Sequence, residues 1–135
     1  MTPFALKIVT PDGLAYDGQA EEVIVRTTSG DIGILAGHLN CVAPLGMGRA
    51  TIVIDGQKRY GACIGGILSV VDGTVTLVPT TFEWAEDIDA ARAEASKQRA
   101  EGILQNKSSS DTDIRLAQAR LKRALIRSSV AKYNK

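Results

Sequence analysis

The chain has 135 residues, of which 44% are hydrophobic and 23% charged, and its formal net charge is +1. These proportions are ordinary for a soluble globular protein and exclude disorder as the dominant state. No apolar run approaches the roughly twenty residues that span a bilayer, and the N-terminus lacks the basic region and apolar stretch of a signal peptide. We therefore expect no membrane insertion and a cytoplasmic location.

The first eighty residues have the pattern of short strands joined by tight turns. Leu6 and Ile8 stand at alternate positions, as in a half-buried strand. Asp-Gly pairs at 55–56 and 72–73 are each flanked by strand-like runs, which is the strongest short-range signal of a β-hairpin. Many short strands at this spacing predict a β-sandwich or flattened barrel over residues 1–84.

A glycine-rich segment, residues 29–48, interrupts these strands and predicts corners with positive backbone torsions. It is not a phosphate-binding loop, because the Gly-Lys-Ser/Thr ending and the GxGxxG spacing are absent and further strand follows. We interpret His38, which has no ligand or triad pattern near it, as a hydrogen-bonded structural residue. Cys41 and Cys63 are too few for a metal site, and we interpret them as reduced, half-buried thiols.

The last third of the chain predicts two helices, at about 88–104 and 112–132. Asp87 is a good N-cap candidate, and Asp89 places a carboxylate in the first turn, where the helix dipole favours it. The break at 106–111 is short and rich in turn residues, so the helices are expected to fold back antiparallel.

The change of pattern near Trp84 predicts a domain boundary. The chain is thus expected to be α+β, with an N-terminal antiparallel β-sandwich in residues 1–84 and a C-terminal antiparallel two-helix hairpin in residues 85–135. The first helix offers mainly alanines with Ile88, Ile103 and Leu104 as its apolar stripe. So thin a stripe buries little apolar area, and we expect the helix pair to dock only marginally on the sandwich. A marginally docked element can change conformation.

The sign of the net charge also changes near this domain boundary. Residues 1–86 hold five basic and nine acidic side chains, a net −4, whereas residues 87–135 hold eleven basic and six acidic, a net +5. Arg92 and Arg99 lie two helical turns apart on one face, and a second basic pair on the other helix has i, i+4 spacing. Guanidinium groups gathered in this way suit phosphate or carboxylate oxygens.

The sequence disfavours two other functions. A nucleic-acid module is disfavoured because the chain has six aromatic residues, no stacking cluster among its basic residues and a pI of 7.8. A nucleotide-hydrolysing enzyme would need a phosphate loop, a metal-ligand cluster or a positioned base, and the sequence offers none of these. The chain is therefore expected to be neither catalytic nor metal-dependent, and to bind no nucleic acid.

These features together resemble the epsilon subunit of bacterial F-type ATP synthases, over essentially the whole chain. The family's N-terminal signature, Gly-x-x-Gly-Ile-Leu-x-Gly-His followed by Pro-Leu, stands here at residues 30–38 and 44–45. Ala36 and Asn40 occupy places where the family often has proline, which affects local rigidity more than identity.

The resemblance implies a non-catalytic central-stalk subunit of a proton- or sodium-translocating synthase, peripheral on the cytoplasmic face of the bacterial plasma membrane. Its sandwich would bind the gamma subunit and the c-ring. Its helices would either fold down on the sandwich or extend along gamma into the head of alpha and beta subunits, where they inhibit ATP hydrolysis. The side chains that would contact an acidic loop of the beta subunit are Arg115, Arg120, Lys122, Arg123 and Arg127.

The resemblance also implies ATP as a regulatory ligand, through an Ile-Asp-x-x-Arg-Ala motif that stands at residues 88–93. The residues implied around the adenine and ribose are Glu83, Ile88, Asp89 and Ala93. Those implied on the phosphates are Arg92, Arg99, Arg123 and Arg127.

An alternative without nucleotide sensing stays open at this point. Asp89 and Arg92 have the i, i+3 spacing of an ordinary surface ion pair, and Arg123 and Arg127 would equally suit a basic surface facing the beta subunit. The helix pair would then be an inhibitor and coupler only.

Overall fold

The computed structural model describes residues 1–133. The chain divides into two compact units, Met1–Trp84 and the part that begins at Ala85. The first is a sandwich of two five-stranded sheets, and the second contains two helices. The predicted α+β fold class, a sandwich followed by a helix pair, is confirmed.

The sandwich is built from ten strands. They are β1 (Phe4–Thr10), β2 (Gly13–Ala20), β3 (Glu22–Thr27), β4 (Gly30–Ile34), β5 (Cys41–Pro44), β6 (Met47–Ile54), β7 (Gln57–Ile64), β8 (Ile67–Val71), β9 (Thr74–Val78) and β10 (Thr81–Trp84). One sheet has the order β2-β1-β9-β8-β5 and the other β10-β7-β6-β3-β4. Among the described strands, β1 and β9 pair in parallel and the other neighbours antiparallel. No hairpin turn dictates the direction of the parallel pair, because its strands are distant in sequence.

The core lies between the two sheets. Leu6 and Ile8 of β1 are fully buried while Ala5 and Lys7 face outward, as the alternation predicts. Side chains of this size stabilise a fold by about 1.5–3 kcal/mol each when they leave water. The inner faces of both sheets contribute such residues, so the sandwich has its own hydrophobic core.

Both predicted Asp-Gly hairpins are present. Asp55 and Gly56, with φ of 52° and 75°, join β6 to β7, and Asp72 and Gly73, with φ of 48° and 81°, join β8 to β9. Positive φ at both central residues is the requirement of the two-residue turn whose twist matches paired strands. These turns set the register of two hairpins, one in each sheet.

The helical unit begins with a 3₁₀ turn, Ala85–Asp87, and continues with α1 (Ala90–Gln105) and α2 (Asp111–Ala131). The prediction of Asp87 as N-cap was wrong. Asp87 belongs to the 3₁₀ turn, and Asp89 is the cap, with its Oδ1 accepting the Arg92 backbone N–H at 3.0 Å. Helix α1 therefore begins two residues later than expected.

The second helix has a reciprocal cap. Ser110 Oγ accepts the Asp113 backbone N–H at 3.1 Å, and Asp113 Oδ2 accepts the Ser110 backbone N–H at 3.4 Å. In the connection, Ser109 Oγ donates to the Ile103 carbonyl at 2.8 Å. The turn between the helices is thus held by its own polar side chains.

Alanines form the contact between the two helices. Ala93 and Ala100 of α1 are buried, as are Ala117 and Ala124 of α2, and each pair is seven residues apart. Side chains at this spacing recur on one face of a helix. The helices therefore pack on each other through small side chains.

Candidate functional site

The motif at residues 88–93 straddles the start of α1. Ile88 is 9% exposed, Asp89 and Arg92 are exposed, and Ala93 has no exposed area. The Ala93 backbone N–H donates to the Asp89 carbonyl at 3.0 Å. Asp89 and Arg92 are therefore available to a ligand, whereas the Ala93 methyl group is occupied in packing.

The predicted surface ion pair between Asp89 and Arg92 is not formed. The ion pairs among residues 1–133 do not include either side chain, and the carboxylate of Asp89 is engaged with the backbone as a helix cap. Ordinary ion pairing thus does not explain the Arg92 guanidinium. Capping does explain Asp89, which lies just before the first turn of α1 and not within it as predicted.

The basic residues of α2 fall into two groups by exposure. Arg115, Arg120 and Lys122 are exposed, while Arg123 and Arg127 are half-buried. The chain has no acidic residue after Asp113, so α2 supplies no carboxylate to any of them beyond its first turn. Arg123 and Arg127 therefore expose less of their surface to a protein partner than the other three residues do.

One cleft lies between the helices. It has a volume of about 290 Å³ and is lined by Ser96, Arg99, Ala100, Ile103 and Arg120. The structure therefore brings Arg99 of the predicted phosphate set together with Arg120, which had been assigned only to a beta-subunit contact.

The remaining candidates lie in the sandwich. Glu83 is half-buried in β10, opposite Ala62 of β7. His38 Nδ1 lies 2.8 Å from the Leu39 carbonyl oxygen, so this nitrogen donates a hydrogen bond, in keeping with a structural role. Across residues 1–133 there is no group of three or more His, Cys, Asp or Glu side chains that would hold a metal ion.

The two thiols differ more than the sequence suggested. Cys41 is half-buried, but Cys63 is only 3% exposed, and burial raises the pKa of its thiol to about 12. The expectation of two half-buried cysteines was wrong for Cys63, because β7 lies inside its sheet between β6 and β10.

A second surface is apolar. On the outer face of the first sheet, Val42, Ile67, Val71 and Val78 are each about half or more exposed, and Ile67 stands directly opposite Val78. Aliphatic side chains clustered on an outward sheet face are typical of a protein interface. Within the described part of the chain, no helix has the length and apolar character to cross a bilayer.

The chain matches two family models. One, described as the ATP synthase delta/epsilon chain beta-sandwich domain, covers residues 3–85, and the other, its long alpha-helix domain, covers residues 86–132. The chain is 49% identical to the ATP synthase epsilon chain of Bacillus velezensis over 97% of its own length and 98% of the relative. It is 46% identical to the ATP synthase epsilon chain of Bacillus licheniformis, over 98% of its own length and 100% of the relative.

Solved structures show a similar fold. A chain of the Euglena gracilis mitochondrial ATP synthase, solved with its F1 part and c-ring, has a TM-score of 0.83 at 21% identity. The match covers 96% of the present chain and 81% of the other.

Proposed function

The chain belongs to the ATP synthase delta/epsilon chain family as a bacterial epsilon subunit, a central-stalk component, and from this premise we propose how it acts. It is a stalk subunit and not the catalytic one. Its helix pair inhibits ATP hydrolysis when it extends into the catalytic head, and ATP bound to the hairpin favours the non-inhibitory state.

The observation that carries this proposal is a set of arginines without carboxylate partners. Arg92, Arg99 and Arg123 form no ion pair within residues 1–133, although all three lie on one small hairpin. Gathering like charges costs free energy unless an anion sits among them, and each guanidinium offers a planar fork of N–H donors. A polyphosphate provides both the charge and the oxygens.

The base of the nucleotide would bind at the start of α1. Asp89 is exposed, and its Oδ1 accepts the Arg92 backbone N–H, so its Oδ2 can accept a hydrogen bond from an exocyclic amine. Ile88 supplies an apolar neighbour for a base. Adenine provides an apolar ring and an amine at C6, whereas guanine has a carbonyl at C6.

Regulation then follows from linkage. ATP shifts the equilibrium only by its difference in affinity for the two conformations. Arginines from both α1 and α2 hold the phosphates only while the helices remain paired, so ATP prefers the closed hairpin. At a ligand concentration one hundred times Kd, this stabilisation amounts to about 2.7 kcal/mol.

A second possibility for the helix pair is inhibition without nucleotide sensing. Its support is the exposure of Arg115, Arg120 and Lys122 on a helix with no acidic residue after Asp113. Such a surface suits an acidic loop of the beta subunit whether or not ATP binds.

The sandwich would supply the coupling half of the function. Its exposed aliphatic face, around Ile67 and Val78, suits apolar surfaces of the gamma subunit and the c-ring. The subunit would then lie peripherally at the cytoplasmic face of the plasma membrane, between the head of alpha and beta subunits and the ion-translocating ring.

Calorimetric titration of ATP, then GTP, into the full chain tests nucleotide sensing. We expect saturable one-to-one binding that prefers ATP and is weakened in Arg92→Ala and Arg123→Ala. Arg115→Ala is the matched control, because Arg115 is exposed on α2 and lies outside the ATP set. Absence of binding at millimolar ATP would leave inhibition without nucleotide sensing.

Hydrolysis by the assembled synthase tests the inhibitory role. Enzyme carrying a subunit truncated after Glu86 should hydrolyse ATP faster than enzyme carrying the full chain. Equal rates would refute inhibition by the helix pair.

A further inference from the structure

Asn40 ties the end of a loop to a distant turn. Its Oδ1 accepts the Asp72 backbone N–H at 2.8 Å, and its Nδ2 donates to Asp72 Oδ1 at 3.4 Å. Asp72 belongs to the two-residue turn between β8 and β9, where its φ is 48°. The two residues are 32 positions apart in the sequence. This reciprocal pair, the Asn40–Asp72 clamp, therefore joins the loop at residues 37–40 to the β8–β9 turn.

The residue next to the clamp is exposed. Leu39 is 82% exposed, more than any other large apolar side chain in the described part of the chain. On the other side of Leu39, the loop is closed by the His38 backbone N–H, which donates to the Leu35 carbonyl at 3.2 Å. Leu39 thus lies between two hydrogen-bonded attachments, and its position depends on both of them.

Leu39 also adjoins the aliphatic outer face of the first sheet. Val71 directly precedes Asp72 and is 52% exposed, and Val42 follows Asn40 by two residues and is 71% exposed. These valines stand on the neighbouring strands β8 and β5. A single exposed leucine needs no explanation, whereas a contiguous apolar patch marks an interaction surface. The clamp holds the loop against the strand ends that carry this patch.

A cleft between the loop and the turn gives a partner side chain room beside Leu39. Its volume is about 660 Å³, and its lining residues are Gly37, His38, Leu39, Asn40, Asp72 and Gly73. Both residues of the clamp belong to this lining, so the loss of their hydrogen bonds would change the shape of the cleft.

We propose that the Asn40–Asp72 clamp is a positioning device, which holds Leu39 in the orientation that contacts the gamma subunit. This inference rests on the proposed coupling function, in which the sandwich binds partners of the stalk. A proline at residue 40 would restrain the loop through its ring, which fixes φ at about −65° and biases the preceding residue toward extended backbone. Asn40 restrains the same loop through two hydrogen bonds instead.

The gamma subunit fits this surface better than the c-ring does. Leu39, Val42 and Val71 form an aliphatic patch, which is complementary to an apolar protein surface. Segments of a membrane protein that lie outside the bilayer on the cytoplasmic side are, in contrast, enriched in Lys and Arg. The patch is therefore assigned to gamma, and the c-ring becomes an outcome of the test.

Backbone dynamics of the full chain test the clamp itself. ¹⁵N relaxation should show lower order parameters for the amides of His38 and Leu39 in Asn40→Ala than in wild type. Asn40→Pro should retain the wild-type order, because the ring replaces the lost hydrogen bonds. Asn106→Ala is the matched control, since Asn106 Oδ1 also accepts a backbone N–H, from Ser108 at 2.9 Å, but in the turn between the helices.

Binding tests the positioning role. Each variant of the full chain is titrated into the head formed by the alpha, beta and gamma subunits, and separately into the purified c-ring. Asn40→Ala and Leu39→Ala should each weaken binding to the head about fivefold or more. Asn40→Pro and Asn106→Ala should stay within about twofold of wild type, as should Leu14→Ala, in which a leucine that is 62% exposed on β2 is removed. Affinity for the c-ring should be unchanged, and circular dichroism should show that each variant is folded.

The inference fails if Asn40→Ala binds the head as tightly as wild type does, if Asn40→Pro binds it as weakly as Asn40→Ala, or if the loss of affinity concerns the c-ring instead. Ile67→Asp judges the proposed coupling function separately, because Ile67 lies on the aliphatic face at the other end of β8 from Val71. If Ile67→Asp binds the head normally, that face is not the interface and the coupling proposal fails. If Ile67→Asp weakens binding and Asn40→Ala does not, the coupling proposal survives and the clamp has no positioning role.

Discussion

The indole N–H of Trp84 donates to the carbonyl oxygen of Ala15 at 3.2 Å and thereby joins β10 of one sheet to β2 of the other. The ring is 7% exposed, and the Arg59 guanidinium carbon lies 3.8 Å from its centroid. Phe82 packs edge-on at 5.0 Å between centroids. The only tryptophan of the chain is thus a fixed part of the sandwich, at the strand that ends it.

Trp84→Phe should lower the free energy of unfolding by about 2–3 kcal/mol, since it removes the hydrogen bond to Ala15 and weakens the contact with Arg59. Urea denaturation followed by far-UV circular dichroism is the appropriate measurement, because the variant has no tryptophan fluorescence. Leu39→Ala is the control. Leu39 is 82% exposed, so its loss should change stability by no more than about 0.5 kcal/mol. Equal effects of the two substitutions would contradict this role of Trp84.

Gly66 is the glycine that the sandwich can least replace. Its φ is +99°, and a Cβ there would collide with the Val78 carbonyl oxygen and the Pro79 Cα. Gly66→Ala should therefore destabilise the sandwich by about 3 kcal/mol or more, because backbone strain and a steric clash add.

Substitutions at two other glycines distinguish the effect of backbone strain from that of the steric clash. Gly73 has a φ of +81° with open space around it, so Gly73→Ala should cost only the backbone term of about 1–2 kcal/mol. Gly33 has neither a positive φ nor a close neighbour, and Gly33→Ala should be nearly neutral. Midpoints of urea unfolding in any other order would show that the clash at Gly66 is relieved by movement.

The strands, tight turns and helices of this fold were predictable because interactions between residues close in sequence determine them. The alternation of Leu6 and Ile8 requires one buried and one open face, and Asp-Gly at 55–56 and 72–73 tolerates the positive torsions of a tight turn. The alanine-rich helices and their turn follow from propensity and from polar residues that compete with the helix.

Three features were not predicted from the sequence. The parallel pairing of β1 with β9 carries no turn signature. Asp87 and Asp89 are equally good caps in isolation, and the 3₁₀ hydrogen bond from the Ile88 N–H to the Ala85 carbonyl decides between them. The approach of Arg120 to Arg99 depends on the register of the two helices, which the spacing along either helix does not contain.

The two cysteines should react at very different rates with a thiol reagent. At pH 8 the Cys63 thiol is protonated, since its pKa is about 12, and the side chain is buried. Because only the thiolate reacts, Cys63 should be modified through unfolding alone, on the order of a thousandfold more slowly than an ordinary thiol. The single-cysteine variants Cys41→Ser and Cys63→Ser assign the two phases. Fast modification of Cys63 in the folded chain would contradict its placement.

The same thiol makes the stability of the sandwich depend on pH. The pKa of Cys63 is raised from 9.0 to about 12, so the folded chain holds this proton more tightly than the unfolded chain does. Its contribution to stability is fully present below pH 9 and declines between pH 9 and about 12, by at most about 1.4 kcal/mol per pH unit. Urea unfolding should show wild type losing stability with pH more steeply than Cys63→Ala across this range. If the stabilities of wild type and Cys63→Ala fell equally with pH, the proton on Cys63 would not be linked to folding.

The cap of α1 can be tested apart from any ligand. Asp89→Ala removes the acceptor of the Arg92 backbone N–H and should destabilise the hairpin by about 1 kcal/mol, whereas Asp89→Asn keeps an acceptor and should have little effect. Asp87→Ala is the matched control, because Asp87 lies in the 3₁₀ turn and caps nothing in α1. Helix content and its thermal loss, measured by far-UV circular dichroism without nucleotide, distinguish the three variants. If Asp87→Ala proved as damaging as Asp89→Ala, the start of α1 would have to be placed two residues earlier.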